Sequence, residues 1–178
     1  MVGVADAMRT APAVSAVRAY EAADVPRMRA IWNEVVRAGN AFPQFDELTD
    51  DTEAAAFFAS QTRTAVAVCD GAVTGLYILH PNNVGRCAHV ANASYAVDAS
   101  RRGAGVGRAL VCDSLAHLTP CGFRGLQFNA VVASNAGAIH LYESLGFTRI
   151  GVIPGGYLNV QGVYEDMIIF YHEAEECE

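Results

Sequence analysis

The sequence shows no excess of positive charge. Its 12 basic residues stand against 19 acidic ones, giving a net charge of −7 at neutral pH. Nucleic acid is therefore not expected as a main partner, because a polyanion is drawn by a basic face. No stretch approaches the ~20 apolar residues that a helix needs to cross a bilayer, so no membrane association is expected. Cysteine is sparse and unpatterned. Cys69, Cys87, Cys112, Cys121 and Cys177 are odd in number, and no two have C-x-x-C spacing. Neither a disulfide framework nor a zinc site follows, and no metal is expected. Reduced thiols in a cytoplasmic protein are the simplest account. Residues 1–15 lack a basic stretch followed by an apolar one, and Arg9 interrupts them, so they do not read as a secretory signal. Repeats, low-complexity tracts and Pro/Gly-rich linkers are also missing. One domain is expected over residues 16–172, with a loose leader at 1–15 and a solvated acidic tail at 173–178.

Apolar residues make up 52% of the 178 and charged residues 17%, enough for a real core. The pattern predicts strands over 16–20, 64–69, 72–79, 87–97, 126–132, 147–153 and 162–171. Helices are predicted from Asp24 to Gly39 and over 51–60, 103–119 and 135–145. In the first helix, Met28, Ile31, Trp32, Val35 and Val36 fall on one face. Asp70-Gly71 between two apolar runs predicts a hairpin. Residues 80–85, rich in turn formers, read as a loop. Hairpins first, then alternating helices and strands, predict an α+β fold with a mixed sheet.

The strongest chemical signal is Arg102-Gly103-Ala104-Gly105-Val106-Gly107-Arg108, after a strand and at the start of a helix. Glycines allow close backbone approach, and free N–H groups at a helix start attract anions. A pyrophosphate is the natural guest, with Arg102 and Arg108 adding positive charge. The loop lacks the Gly-Lys-Ser/Thr of a Walker A site and the spacing of the dinucleotide fingerprint.

Arg102-x-x-Gly105-x-Gly107 resembles the Q/R-x-x-G-x-G/A signature of the GNAT superfamily of N-acetyltransferases. The segment from Asn135 through Ala138 and Tyr142 to Gly146-Phe147 is similar to that family's N-x-x-A-x-x-x-Y-x-x-x-G-F block. The resemblance implies a single GNAT-fold domain with a central, mostly antiparallel mixed sheet flanked by helices. It also implies acetyl-CoA as cosubstrate and, commonly, a homodimer. The amides of Arg102, Gly103, Ala104, Gly105, Val106, Gly107 and Arg108 would hold the coenzyme A pyrophosphate. Val97 would meet the acyl and pantetheine region, where a backbone amide at a strand bulge serves as oxyanion donor. Asn135 would either cap its helix or offer its amide to the pantetheine arm. Tyr142 would protonate the departing thiolate.

Many members of the family carry a glutamate base on the strand before the loop, but residues 87–97 hold none. His89, a water chain, or an amine already partly deprotonated could serve. Three stretches, Leu79–Arg86, Asn92–Val97 and Gln127–Val132, resemble a narrower branch, the fungal acetyltransferases of the proline analogue azetidine-2-carboxylate. That resemblance implies substrate contacts at Asn92 and Asn129. Arg86 or His80 could bind a substrate carboxylate or simply be solvated. Residues 155–159 read as a flexible hairpin, with Tyr157 lining either the acceptor site or a dimer interface. The reading is transfer of an acetyl group to a small-molecule amine. Acetylation of a protein, peptide or antibiotic amine, and a non-catalytic acyl-CoA sensor, are the alternatives.

Overall fold

Met28, Ile31, Trp32, Val35 and Val36 recur at helical spacing, and they form the buried face of helix α1 (Val25–Ala38). Pro26 sits in its first turn, where no N–H bond is lost. Gly39 ends it in the left-handed conformation, and its N–H reaches the carbonyls of Val35 and Val36. Helix α2 (Asp51–Ala59) is capped by Asp50, whose carboxylate accepts from the N–H groups of Thr52 and Glu53. These elements come from a computed structural model, which describes Val14 and residues 16–175. The leader, apart from Val14, and the last three residues of the tail, including Cys177, lie outside the described residues.

Strands β1 (Ala16–Ala19), β2 (Arg63–Cys69), β3 (Ala72–Pro81) and β4 (Val90–Val97) form the first half of the sheet. Asp70 and Gly71 both take positive φ (50° and 77°), closing the tight hairpin between β2 and β3. Helix α3 (Val106–Ala116), β5 (Gly125–Val132), helix α4 (Ala136–Ser144), β6 (Thr148–Leu158) and β7 (Tyr164–Glu173) follow. The seven strands are ordered β1-β2-β3-β4-β5-β7-β6, and every neighbouring pair is antiparallel except β4–β5. The expected α+β class and mostly antiparallel mixed sheet are therefore observed.

Alternation along β3 feeds two cores. Leu76 and Ile78 face α1 and α2, joining Met28, Ile31, Trp32 and Phe58. Tyr77 and Leu79 face α3 and α4, joining Leu110, Leu126, Phe128 and Phe170. At Gly75 a Cβ would lie 2.9 Å from Val106 Cγ1 and 3.0 Å from the Ala96 carbonyl, so α3 sits against the sheet more closely than an alanine permits. Trp32 is the hub of the first core, with ring centroids 4.4 Å from Phe42, 5.1 Å from Phe57 and 6.0 Å from Phe58. Trp32→Ala is expected to cost about 3–5 kcal/mol of unfolding free energy, read as a lower urea midpoint. A change below about 1 kcal/mol would mean that this cluster is not a packed core.

Several boundaries differ from the sequence reading. Strand β3 continues through His80 and Pro81. The expected strand at 87–97 starts only at Val90, because Gly85 takes φ 58° and opens a short 3-10 turn over Gly85–Cys87. Helix α3 starts at Val106, after Gly103 and Gly105 with φ of 77° and 81°. Strand β7 runs to Glu173, and the next residues are held down, with Ala174 N–H on the Arg124 carbonyl and Thr119 Oγ1 donating to the Glu175 carbonyl.

Candidate active site

The parallel pair β4–β5 is in register at only two positions, Val90↔Gly125 and Ala91↔Leu126. Beyond Ala91 the strands diverge. Meanwhile β4 stays paired with β3 up to Val97, without a register shift. Asn82 N–H bonds the Val90 carbonyl, which sets the alternation along β4. Ala93, Tyr95 and Val97 therefore turn their N–H and C=O groups away from β3, toward the gap. Ala93 N–H is satisfied by Asn92 Oδ1 at 2.7 Å. Tyr95 and Val97 present theirs to the opening. Open backbone groups thus arise here by splaying, and β4 keeps its register with β3 without the expected bulge.

A cavity of about 1180 Å³ runs through this gap. At one mouth, Val97 and Gly107 line it beside the glycine loop. Here Asp98 caps the turn Ala99–Arg101 through Ser100 N–H. Within the loop, Ala104 N–H bonds the Arg101 carbonyl and Ala109 N–H bonds the Gly105 carbonyl. The N–H groups of Gly103, Gly105, Val106, Gly107 and Arg108 find no acceptor among the described residues. Open donors around a helix start form a ready anion cradle. Arg102 is exposed at its rim, and Arg108 donates to Ser144 Oγ of α4 at 3.0 Å. At Gly107 a Cβ would lie 3.5 Å from Leu141 Cδ2 of α4, an ordinary van der Waals contact.

Helix α4 forms one wall through Asn135, Ala138, Leu141 and Tyr142. Asn135 is its N-cap, with Oδ1 accepting from Ala138 N–H at 3.2 Å, which leaves its side-chain N–H₂ for a ligand. Gly146 stops the helix at φ 85°, and Phe147 N–H bonds the Tyr142 carbonyl. The Tyr142 ring packs on Phe128 at 4.4 Å and Phe147 at 5.5 Å. Its hydroxyl bonds no other described residue, and burial pushes it above the usual phenol range. Tyr95 is likewise pushed well above that range by burial, against the opposing pull of its bond to Ser114 Oγ at 2.6 Å. Both phenols stay protonated throughout the physiological range.

The other mouth lies on the α1–α2 face. His80, Asn82, Asn92, Ser94 and Asn129 meet there, with Trp32, Phe42 and Phe57 as an aromatic wall. Gln127 Nε2 donates to Asn129 Oδ1 at 2.8 Å, and Asn129 Nδ2 donates to Asn82 Oδ1. Asn92 is oriented without ambiguity, because a backbone N–H can only donate to its Oδ1. The carbonyl ends of Asn92 and Asn129 are thus engaged by the protein, and N–H donors remain free. The cavity brings together Asn92, Val97, Gly107, Asn129, Asn135 and Tyr142. Gly103, Ala104, Gly105 and the two arginines stand beside its glycine-loop mouth.

His89 does not join them. It is exposed, sits in the turn before β4, and does not line the cavity, so it is not placed to serve as a base there. Arg86 is also exposed and outside the lining. Tyr157 belongs to β6 rather than to a loose hairpin. It is buried, and its hydroxyl donates to the Phe42 carbonyl at 2.9 Å, holding the aromatic wall in place. Asn82 is a member that sequence reasoning missed, since a turn-rich stretch shows no sign that its side chain reaches β5. Among the described residues, no group of three His, Cys, Asp or Glu side chains is placed to hold a metal ion. No helix there is long and apolar enough to cross a membrane.

Residues 26–147 match the model of the Acetyltransferase (GNAT) family. N-acetyltransferase aca1 of Schizosaccharomyces pombe is 39% identical over 100 residues, covering 55% of this chain and 48% of that protein. The chain thus aligns with about half the length of that relative, and with smaller shares of the other curated relatives. Among solved structures, a GCN5-related N-acetyltransferase from Kribbella flavida is 38% identical with a TM-score of 0.80, covering 89% of this chain and 96% of that one. A GNAT superfamily phosphinothricin acetyltransferase from Sinorhizobium meliloti, solved in complex with acetyl-CoA, shares the fold at a TM-score of 0.83 and 23% identity, covering 90% of this chain and 89% of its own.

Proposed function

The chain belongs to the GNAT acetyltransferase family, and on that premise we propose that it moves the acetyl group of acetyl-CoA to the nitrogen of a small amine bearing a carboxylate. The observation that carries the reading is the through-going gap between β4 and β5, with an anion cradle at one mouth and amide donors at the other. Bound acetyl-CoA would supply an acyl group activated as a thioester. The open N–H groups from Gly103 to Arg108 would hold its diphosphate, with Arg102 and Arg108 alongside. Asn135 would offer its side-chain N–H₂ to the pantetheine arm. The Tyr95 and Val97 amides, which face the gap, would steady the arm and the developing oxyanion. Tyr142 would give its proton to the sulphur as the C–S bond breaks.

The acceptor class follows from the chemistry of the other mouth. Asn92 and Asn129 present N–H donors and no charge, and among the described residues the cavity lining contains no Asp or Glu to favour a polycation. A small zwitterion, such as a cyclic imino acid of the azetidine-2-carboxylate kind, satisfies those donors with its carboxylate. The test is thiol release from acetyl-CoA against azetidine-2-carboxylate, proline analogues, lysine and polyamines. The carboxylate-bearing small amines are expected to give the highest kcat/KM. Asn92→Ala is expected to raise their KM about 10-fold, since a hydrogen bond to a charged group is worth about 1.5–3 kcal/mol. Preference for polyamines, or an unchanged KM in Asn92→Ala, would overturn the acceptor assignment.

A further inference from the structure

Among the described residues, His80 brings the one imidazole to the acceptor mouth, and no carboxylate lines the cavity. It lies near the end of β3, half-buried and in register with Asn92 of β4. Its Nδ1 is 3.0 Å from the Pro81 carbonyl oxygen. A carbonyl oxygen only accepts, so Nδ1 carries the hydrogen, and the neutral ring keeps its lone pair on Nε2. We propose that His80 is the general base of the transfer, its Nε2 taking a proton from the acceptor ammonium in the cavity. The proposal rests on the acetyltransferase reading above and deepens it.

The surroundings leave this role to His80 alone. Asn92 faces it from β4, Asn82 and Asn83 from the following loop, Asn129 from β5 and Gln61 from the end of α2, and none of these titrates. Tyr95 and Tyr142, the other titratable groups of the lining, hold their protons too tightly to accept another. The chain has no lysine, all 12 of its basic residues being arginine. The nearby Arg63 of β2 turns to the opposite face, where Nε meets Tyr77 Oη at 2.7 Å and Nη2 meets Asp113 at 3.2 Å. Among the described residues, no fixed charge lines the cavity to compete with the acceptor for the imidazole.

The proton inventory closes. The ammonium gives one proton to Nε2. The freed lone pair forms the C–N bond at the thioester carbonyl carbon, and the C–S bond breaks with its electron pair on sulphur. Tyr142 protonates that sulphur. The second proton on nitrogen, acidified by the new bond, restores the Tyr142 hydroxyl. His80 releases its proton to solvent, so each turnover yields one amide, one thiol and one proton.

The experiment is the pH dependence of kcat/KM between pH 6 and 9, using an amine that the wild type acetylates. His80→Gln keeps a donor for the Pro81 carbonyl, His80→Ala opens space, and acetyl-CoA thermal shifts verify that both variants are folded. With His80 in place, kcat/KM should climb with pH much less steeply than the free-amine fraction does. In His80→Gln it should follow the free amine, climbing about tenfold per pH unit up to the amine's own pKa and standing about 100-fold below wild type at pH 7. Added imidazole should recover part of the activity of His80→Ala. A His80→Gln profile superimposable on wild type, with a loss under about threefold, would overturn the base assignment and leave the acetyltransferase reading intact. A wild type that binds acetyl-CoA yet acetylates no amine would overturn the acetyltransferase reading itself, and this proposal with it.

Discussion

Tyr142→Phe is expected to lower kcat about 100-fold while acetyl-CoA affinity stays within about twofold. The substitution removes one oxygen and keeps the ring, so the contacts with Phe128, Phe147 and Phe170 survive. The hydroxyl bonds no other described residue, and its loss orphans no buried partner. Stability should therefore be unaffected, and the phenotype should be confined to turnover. The size of the effect follows from relative acidity. Burial makes Tyr142 a weaker acid than an ordinary phenol, and a phenol is already weaker than a thiol. Full transfer to the thiolate would be uphill unless the phenol were resupplied at once, so on the proposed mechanism the hydroxyl would act as a relay between nitrogen and sulphur. That places the loss near the low end of the range for acid–base groups. Both kcat and kcat/KM should fall together, because the interaction exists only as the sulphur departs. An unchanged kcat in stopped-flow thiol release would remove Tyr142 from the chemistry. A weakened acetyl-CoA affinity with unchanged kcat would make it a binding group instead.

The parts of this site that were legible in the sequence are those written in local pattern. Periodicity located α1, Asp70-Gly71 located its hairpin, and the glycines of 103–107 together with the 135–147 block located the cradle and Tyr142. The gap itself was not legible. Residues 90–97 and 125–132 read as two ordinary strands, and nothing local says that they pair at two positions and then part. Parallel pairing is a long-range property, and its interruption is more so. Edge position explains the misjudged length of β6. Pro154, Gly155 and Gly156 suggest a loop, yet on an outer strand a proline is tolerated and a bulge absorbs the irregularity. The register shifts between Ile153 and Tyr157, and Gly155 N–H is caught by Asp166 Oδ1 at 2.9 Å. The late start of β4 has a local cause: no Gly or Pro separates Cys87 from Val90 in the sequence, but the chain is still turning there. The strand's late start leaves His89 in the preceding turn, outside the cavity lining. His80, two residues past Ile78 on the same face of β3, took its place at the cavity.

Gly105→Val is expected to weaken acetyl-CoA binding by at least about 30-fold, corresponding to the loss of one or two charge-assisted hydrogen bonds at about 1.5–3 kcal/mol each. Gly105 is the N-cap of α3 at φ 81° and ψ 0°, and a Cβ there would meet nothing within 4 Å. Space is therefore not the issue. A β-branched residue in the left-handed region stores strain of about 1–3 kcal/mol, and the loop sheds it by rotating. Rotation would turn the open N–H groups of Gly105 and Val106 away from a bound diphosphate. Gly71→Val is the matched control. Gly71 has nearly the same φ of 77° and equally open surroundings, but it sits at the β2–β3 hairpin, outside the cavity lining. It should lower Tm to a similar degree and leave acetyl-CoA affinity at the wild-type value. Isothermal titration of both variants separates the two effects, because strain alone moves stability in each, while only the cradle moves affinity. Equal affinities for Gly105→Val and Gly71→Val would mean that the diphosphate is held elsewhere. The gap between β4 and β5 would then have to be entered from its other mouth.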